Sequence, residues 1–120
     1  MRLDHVNVRC TNLDETTLFL ERLVGLKPGR RPPFPFPGAW LYDDTGRAVV
    51  HLLQARGEIG PAGAVDHIAF YFDDLAAQVA RQVSLGYPAA LQDVPGTSIR
   101  QCFVPGPDGL LVEIQGPSSA

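Results

Sequence analysis

Cysteine is scarce: Cys10 and Cys102 are the whole complement of a 120-residue chain, too few and too scattered for a disulfide framework or a zinc-thiolate knot. They read as small apolar residues in a reducing compartment. A surplus of positive charge is also missing. Ten Lys and Arg against 13 Asp and Glu leave a net charge of −3 with no basic run, which excludes nucleic acid and anionic membrane as partners. No apolar run approaches the roughly 20 residues of a membrane span, and the start MRLDHVNV lacks the basic-then-apolar layout of a signal peptide, so a cytoplasmic location is expected. What the chain does have is apolar material, 45% of its residues. That fills one core, and a single domain over 1–120 is expected.

The chain is written twice. Leu3-Asp4-His5-Val6-Asn7-Val8 is matched by Val65-Asp66-His67-Ile68-Ala69-Phe70, and each histidine is followed eight residues later by a leucine, Leu13 or Leu75. Asp44-Thr45-Gly46 before Val49-Val50-His51-Leu52 is matched by Pro107-Asp108-Gly109 before Leu111-Val112-Glu113-Ile114. His5 and His67 stand 62 positions apart, and so do His51 and Glu113. Shared offsets of ionisable positions inside similar apolar frames indicate two modules, about 1–56 and 64–117, joined by the Gly-rich linker 57–63.

Each half reads alike. Residues 3–10 alternate, with Val6, Val8 and Cys10 on one face and His5, Asn7 and Arg9 on the other, as a half-buried strand does. A helix follows, with Asn12 and Glu15 as a capping box, Phe19, Leu20, Leu23 and Val24 as its apolar face, and Gly25 as its stop. In the second half Asp73 or Asp74 caps, Leu75, Val79 and Val83 form the predicted stripe, and Gly86 with Pro88 terminates. Strands are expected at 39–43, 47–54, about 99–104 and 110–115, with turn chemistry at 43–46 and 105–109. The fold class is α+β, two tandem βαβββ modules whose curved mixed sheet forms a cup with the helices on its outer face.

Strand parity puts His5, His51, His67 and Glu113 on the face away from the helices. The strands around His51 and Glu113 are apolar on both sides, so an unpaired charge there would cost several kcal/mol, roughly, by desolvation. A divalent cation offsets that cost, and neutral imidazoles with one carboxylate suit Zn, Ni, Co, Mn or Fe. One divalent metal ion per site is therefore expected. Between Arg30 and Trp40, prolines and glycines punctuate Phe34, Phe36 and Trp40, which makes a stiff apolar loop able to wall a substrate. Arg30 and Arg31 are the nearest cations for an acidic substrate, and Tyr71 and Gln101 can line the cup.

The stretches LDHVNVRCTNL, FLERLVGLKPG, VDHIAFYFDDL and FVPGPDGLLVEIQGP resemble the vicinal oxygen chelate superfamily over nearly the whole chain. That superfamily joins glyoxalase I, extradiol dioxygenases, fosfomycin-resistance thiol transferases, methylmalonyl-CoA epimerase and bleomycin-binding proteins. The last stretch is similar to the family ending DPDG-x-x-(I/V)-E, with Gly106 in place of the usual Asp, and the layout is nearest to small glyoxalase I-like proteins. The resemblance implies paired βαβββ modules around one metal, with His5, His67 and Glu113 at the ligand positions of its metalloenzymes. His51 matches the fourth position, a ligand in glyoxalase I and the epimerase and usually not in the dioxygenases, so it is either a ligand or a second acid–base group. Arg9 matches a glutathione-contacting arginine. The position four after His51, an Asn in glyoxalase I, is Ala55, which argues against glutathione.

The leading expectation is a metal-dependent lyase or isomerase working through a metal-stabilised oxyanion of a small oxygenated substrate. In it Glu113 and His51 are catalytic, and Arg9, Phe34, Phe36, Trp40, Tyr71 and Gln101 bind substrate. The alternatives are an extradiol ring-cleavage dioxygenase, with His5, His67 and Glu113 as a facial triad on Fe²⁺, and a non-catalytic binding module for an antibiotic or other small molecule. Duplicated modules can be exchanged between chains, and a homodimer is expected.

Overall fold

The computed structural model describes residues 1–60 and 65–118. The chain divides into two compact units, Met1–Pro61 and Ala62–Ala120, each with its own helix, four-stranded sheet and core. Residues 61–63 of the expected linker lie outside the described residues.

The first unit runs β1 (Val6–Cys10), α1 (Leu13–Val24), β2 (Lys27–Gly29), β3 (Gly38–Tyr42) and β4 (Ala48–Gln54). Its sheet has the order β1-β4-β3-β2, with β1 parallel to β4 and the other neighbours antiparallel. The second unit repeats this with β5 (Ile68–Tyr71), α2 (Leu75–Leu85), β6 (Gln92–Asp93), β7 (Ile99–Pro105) and β8 (Leu111–Pro117), in the order β5-β8-β7-β6. Two tandem βαβββ modules of an α+β fold result. The short edge strands β2 and β6 carry exposed residues only, which is why apolar periodicity does not mark them.

Helix boundaries follow from capping chemistry. Asn12 accepts a hydrogen bond from the Glu15 amide at 3.0 Å and Asp74 accepts one from the Ala77 amide at 3.0 Å, satisfying first-turn donors that have no helical acceptor. Gly25 and Gly86 close the helices at φ +78° and +81°, a left-handed backbone that costs glycine nothing.

In the first unit α1 buries Thr16, Phe19, Leu20 and Leu23 against Leu41, Val50 and Leu52 of the sheet. The second unit departs from expectation. Val83 is 65% exposed, whereas Gln82 is fully buried, and the inward positions of α2 are Leu75, Gln78 and Gln82. The predicted stripe through Val79 and Val83 is thus displaced around the helix. The reason is polar: Gln82 donates to the Pro88 carbonyl at 2.7 Å and to Cys102 Sγ at 3.4 Å, and accepts from Gln78 Nε2 at 3.0 Å. Both amides are therefore compensated inside a core where an unpaired one would be costly. Both cysteines are buried and form no disulfide. Among the described residues no helix is long and apolar enough to cross a membrane.

Candidate functional site

Each unit places one chemistry-bearing side chain on its last strand and one just ahead of its first. On β4, Val50 and Leu52 face the core and are buried, so His51 points to the opposite face. Sheet register sets it beside Asn7 of β1 and Trp40 of β3. On β8, Glu113 occupies the matching place, beside Ala69 of β5 and Phe103 of β7. Its carboxyl is buried, with the residue only 8% exposed. His5 and His67 precede the first paired residues, Val6 and Ile68. The expected strand at 3–10 is therefore shorter by three residues.

In the first unit three rings form a stack. His5 lies on His51 with centroids 3.8 Å apart and planes inclined by 11°, and Trp40 covers the other side at 4.1 Å and 11°. His5 Nδ1 donates to Asp4 Oδ2 at 2.8 Å. His51 Nε2 donates to the Ala48 carbonyl at 3.1 Å, since a carbonyl only accepts, which leaves Nδ1 as its bare nitrogen. Burial lowers the His51 pKa from its ordinary 6.5, and the neighbouring His5 adds to the effect, so the ring favours its neutral form. The hydrogen bond from His5 lowers the pKa of Asp4.

In the second unit His67 sits between two carboxyl groups. Its Nδ1 donates to Asp66 Oδ2 at 2.8 Å, and its Nε2 faces Glu113 Oε1 at 3.2 Å. The Asp66 hydrogen bond raises the His67 pKa, with Glu113 reinforcing it. Phe103 meets the ring edge-on at 5.2 Å. Histidine Nε2 and a buried carboxyl side by side are a donor set that suits a divalent ion, which would replace a proton between them. Among the described residues no group of three or more His, Cys, Asp or Glu gathers to hold a metal ion.

The stack bears on His51. An imidazole lone pair lies in its ring plane, and two nearly parallel planes offset by a ring thickness do not meet at a bond's length. His5 and His51 in this arrangement do not present lone pairs to one common ion.

The remaining expected residues fall into two groups. A cavity of about 330 Å³ in the first unit is lined by Arg9, Phe36, Leu53 and Arg56, with Glu58 at its wall. Arg31 is instead a structural tie. Its guanidinium donates to the Phe36 carbonyl at 3.0 Å and lies 5.1 and 5.2 Å from the centroids of the stacked rings of Phe34 and Phe36. Sequence reasoning chose Arg30 and Arg31 as the nearest cations and missed Arg56. In the second unit Tyr71 and Gln101 flank Gln115 in register, and Tyr71 is 54% exposed. Also missed were the anchors Asp4, Asp66 and Ala48. The repeated Asp-His dipeptide was the available signal for the first two.

Comparison with known proteins gives the same architecture. Glyoxylase I 4 of Arabidopsis thaliana is 32% identical over 124 residues, covering 93% of this chain and 68% of that protein. A glyoxylase/bleomycin resistance protein/dioxygenase domain from Frankia sp. EAN1pec superposes with a TM-score of 0.74 at 17% identity, covering 98% of each chain. The trypanothione-dependent glyoxalase I of Leishmania major superposes with a TM-score of 0.67 at 23% identity, over 97% of this chain and 86% of that one. The family model described as Glyoxalase/Bleomycin resistance protein/Dioxygenase superfamily matches residues 2–114, a span that takes in both modules and all four ligand-type positions. This chain belongs to the glyoxalase/bleomycin resistance protein/dioxygenase superfamily.

Proposed function

We propose that the chain is a divalent-metal-dependent glyoxalase-like enzyme with lyase or isomerase chemistry on a small oxygenated substrate. The observation that carries this reading is the His67–Glu113 pair: a buried carboxyl 3.2 Å from the Nε2 of an imidazole whose other nitrogen is already bound. His5, His67 and Glu113 are the proposed ligands, with Zn, Ni, Co, Mn or Fe as the ion. When bound, the ion supplies Lewis acidity that stabilises negative charge developing on a substrate oxygen. Glu113 is the proposed carrier of a carbon-bound proton. His51, favoured as neutral and held flat between His5 and Trp40, is the proposed second acid–base group. Arg9, which lines the cavity together with Arg56, suits an acidic group of the substrate, and Phe36, with Phe34 stacked on it, offers apolar contact. Trp40, Tyr71 and Gln101 complete the proposed substrate-binding set. The protein is proposed to work as a cytoplasmic homodimer, which sedimentation at low concentration checks.

Metal analysis of protein purified without chelator is the first test. About one equivalent per chain, lost in Glu113→Gln, is expected. Less than about a tenth of an equivalent, unrestored by added metal, would instead indicate a binding module. The His5–His51 stack favours one second reading, an extradiol dioxygenase, because it leaves a three-ligand set with open positions. Anaerobic loading with Fe²⁺ followed by oxygen uptake with catechols separates the two.

A further inference from the structure

We infer that the cavity of the first unit is a receptor for one carboxylate carried on a small apolar body. Arg56 determines this specificity together with Arg9, and Glu58 limits the ligand to a single negative charge. The inference rests on the reading above for what becomes of the acid and deepens its substrate class; binding itself requires neither a metal nor the second unit.

Every group involved lies in the first unit. At about 330 Å³, the cavity is near the lower end of ligand pockets, roughly 300 to 1,000 Å³, which suits a small molecule. Gln54 knits its walls together. The backbone amide of Gln54 donates to the Pro37 carbonyl at 3.1 Å, next to Phe36. Its side-chain Nε2 donates to the Thr11 carbonyl at 2.7 Å, and its Oε1 accepts from the Leu13 amide at 3.2 Å. The Ala55 amide then donates to the Cys10 carbonyl at 2.8 Å, which carries the β1–β4 pairing past the end of β4. Arg56 therefore leaves a fixed backbone, and Arg9 stands beside Leu53 in register. Leu53 follows His51 by two residues on the same sheet face, a step of about 7 Å.

The two guanidiniums are not spent elsewhere. Arg31 and Arg100 are engaged, one by the Phe36 carbonyl and the other by Asp93. Among the described residues neither Arg9, Arg56 nor Glu58 makes a hydrogen bond or ion pair through its side chain. The fold does not require the arginines either. Advancing by the repeat offset of 62 puts Tyr71 in the place of Arg9, Gln115 in that of Leu53 and Ser118 in that of Arg56. Tyr71 pairs with Gln115 as Arg9 pairs with Leu53, so the second unit builds the same sheet without either guanidinium. Against an apolar wall of Phe36, Leu53 and Ala55, a carboxylate is attracted more strongly than in bulk water, because the wall lowers the local dielectric. The forked donors of arginine match its two oxygens. Charge sets the limit: two cations against one anion, Glu58, leave one positive charge for the ligand to neutralise, and a second negative charge would meet repulsion from Glu58.

The test titrates the metal-free, ¹⁵N-labelled full chain with phenylacetate, with the neutral phenylacetamide and with phenyl phosphate, near pH 8 where the phosphate monoester is a dianion. Phenylacetate should give saturable shifts centred on the amides of Arg9, Leu53, Ala55 and Arg56, with a dissociation constant of about 1 mM. Phenylacetamide should bind at least about tenfold more weakly, and Arg56→Gln should weaken phenylacetate by about tenfold. Lys27→Gln, which removes the same charge from the exposed strand β2, should stay within about twofold. Wild type should bind phenyl phosphate more weakly than phenylacetate, and Glu58→Gln should tighten phenylacetate by about threefold and phenyl phosphate by more. The inference is overturned by equal affinity for acid and amide, by an unchanged Arg56→Gln, or by an equal loss in Lys27→Gln. It is overturned as well if phenyl phosphate binds wild type the more tightly, or if phenylacetate gives no saturable shift by about 30 mM. Any of these results leaves the metal reading of His67 and Glu113 standing, whereas a chain that binds the acid but takes up no divalent ion sinks that reading and keeps this one.

Discussion

Replacing His51 with phenylalanine removes an imidazole but keeps a flat ring between His5 and Trp40, and Zn²⁺ affinity should change by less than about threefold, or 0.7 kcal/mol. The magnitude follows from the stack. The His51 plane is inclined to that of His5 by only 11°, with centroids 3.8 Å apart, and an imidazole lone pair lies in its own ring plane. If His5 were a ligand, the stacked His51 would aim no lone pair at the same ion, and its replacement would remove no metal bond. Turnover is another matter: loss of a positioned acid–base group lowers it by about 10²- to 10⁴-fold. The assay is a chelator competition run beside His5→Ala. A loss in His51→Phe that matches His5→Ala would show that the rings swing apart to share one ion, and the three-ligand argument would fail.

Three further outcomes concern the frame that carries the site. Asp43 Oδ1 accepts from the Thr45 amide, the Thr45 hydroxyl and the Arg47 amide at 2.9, 2.7 and 3.1 Å, and the Thr45 hydroxyl leads the lowering of its pKa from 3.8. A depressed folded-state value means the stabilisation is present above the unfolded value and is lost as pH falls through the folded one. Asp43→Ala should cost about 1 kcal/mol near neutrality, and its melting temperature should converge with wild type in acid; a gap that persists there contradicts the assignment. Gln82→Ala should cost about 3 kcal/mol in urea titration, from lost buried hydrogen bonds and the void left behind, and a change under about 0.5 kcal/mol would deny the polar core of α2. Leu75→Ala should cost about 2 to 4 kcal/mol while Val83→Gln stays within about 0.5; the reverse order would restore the valine stripe.

Much of this molecule could be read from its residues because local chemistry and global fold agree. Asn12, Asp74, Gly25 and Gly86 cap and stop their helices as their types require. Alternation in VNVRC and IAFY reports which side of each strand is covered. The failure at α2 has a definite cause. Gln78 and Gln82 share the four-residue spacing of Val79 and Val83, one position or about 100° around the helix, and composition alone favours valine inside. The choice is made by two acceptors of the Gln82 amide, the Pro88 carbonyl just beyond the helix end and the Cys102 sulfur, neither of which periodicity within the helix reveals. The His51 stack was hidden for a related reason. Trp40 comes opposite His51 through a hairpin register that shifts between Leu41 and Tyr42, and no residue type announces such a shift. The aspartates of the repeated dipeptide were visible as markers of duplication, but their bonds to Nδ1 needed coordinates.

The segment between Arg30 and Gly38 has its own consequence. Pro32, Pro33, Pro35 and Pro37 fix four backbone angles, and the Arg31 clasp over two phenyl rings abuts Gly38, where a Cβ would meet the Leu52 backbone carbonyl at 2.5 Å and the guanidinium at 2.7 Å. If the proposed substrate docks at Phe36, it would meet a rim already shaped when the chain folded, so the entropy that a mobile flap would subtract from affinity would be charged to folding instead. Such a rim gains little from yielding. Discrimination by width at this edge should accordingly be sharp, and loosening a single proline there would broaden the range of accepted molecules before it weakened the hold on any one of them.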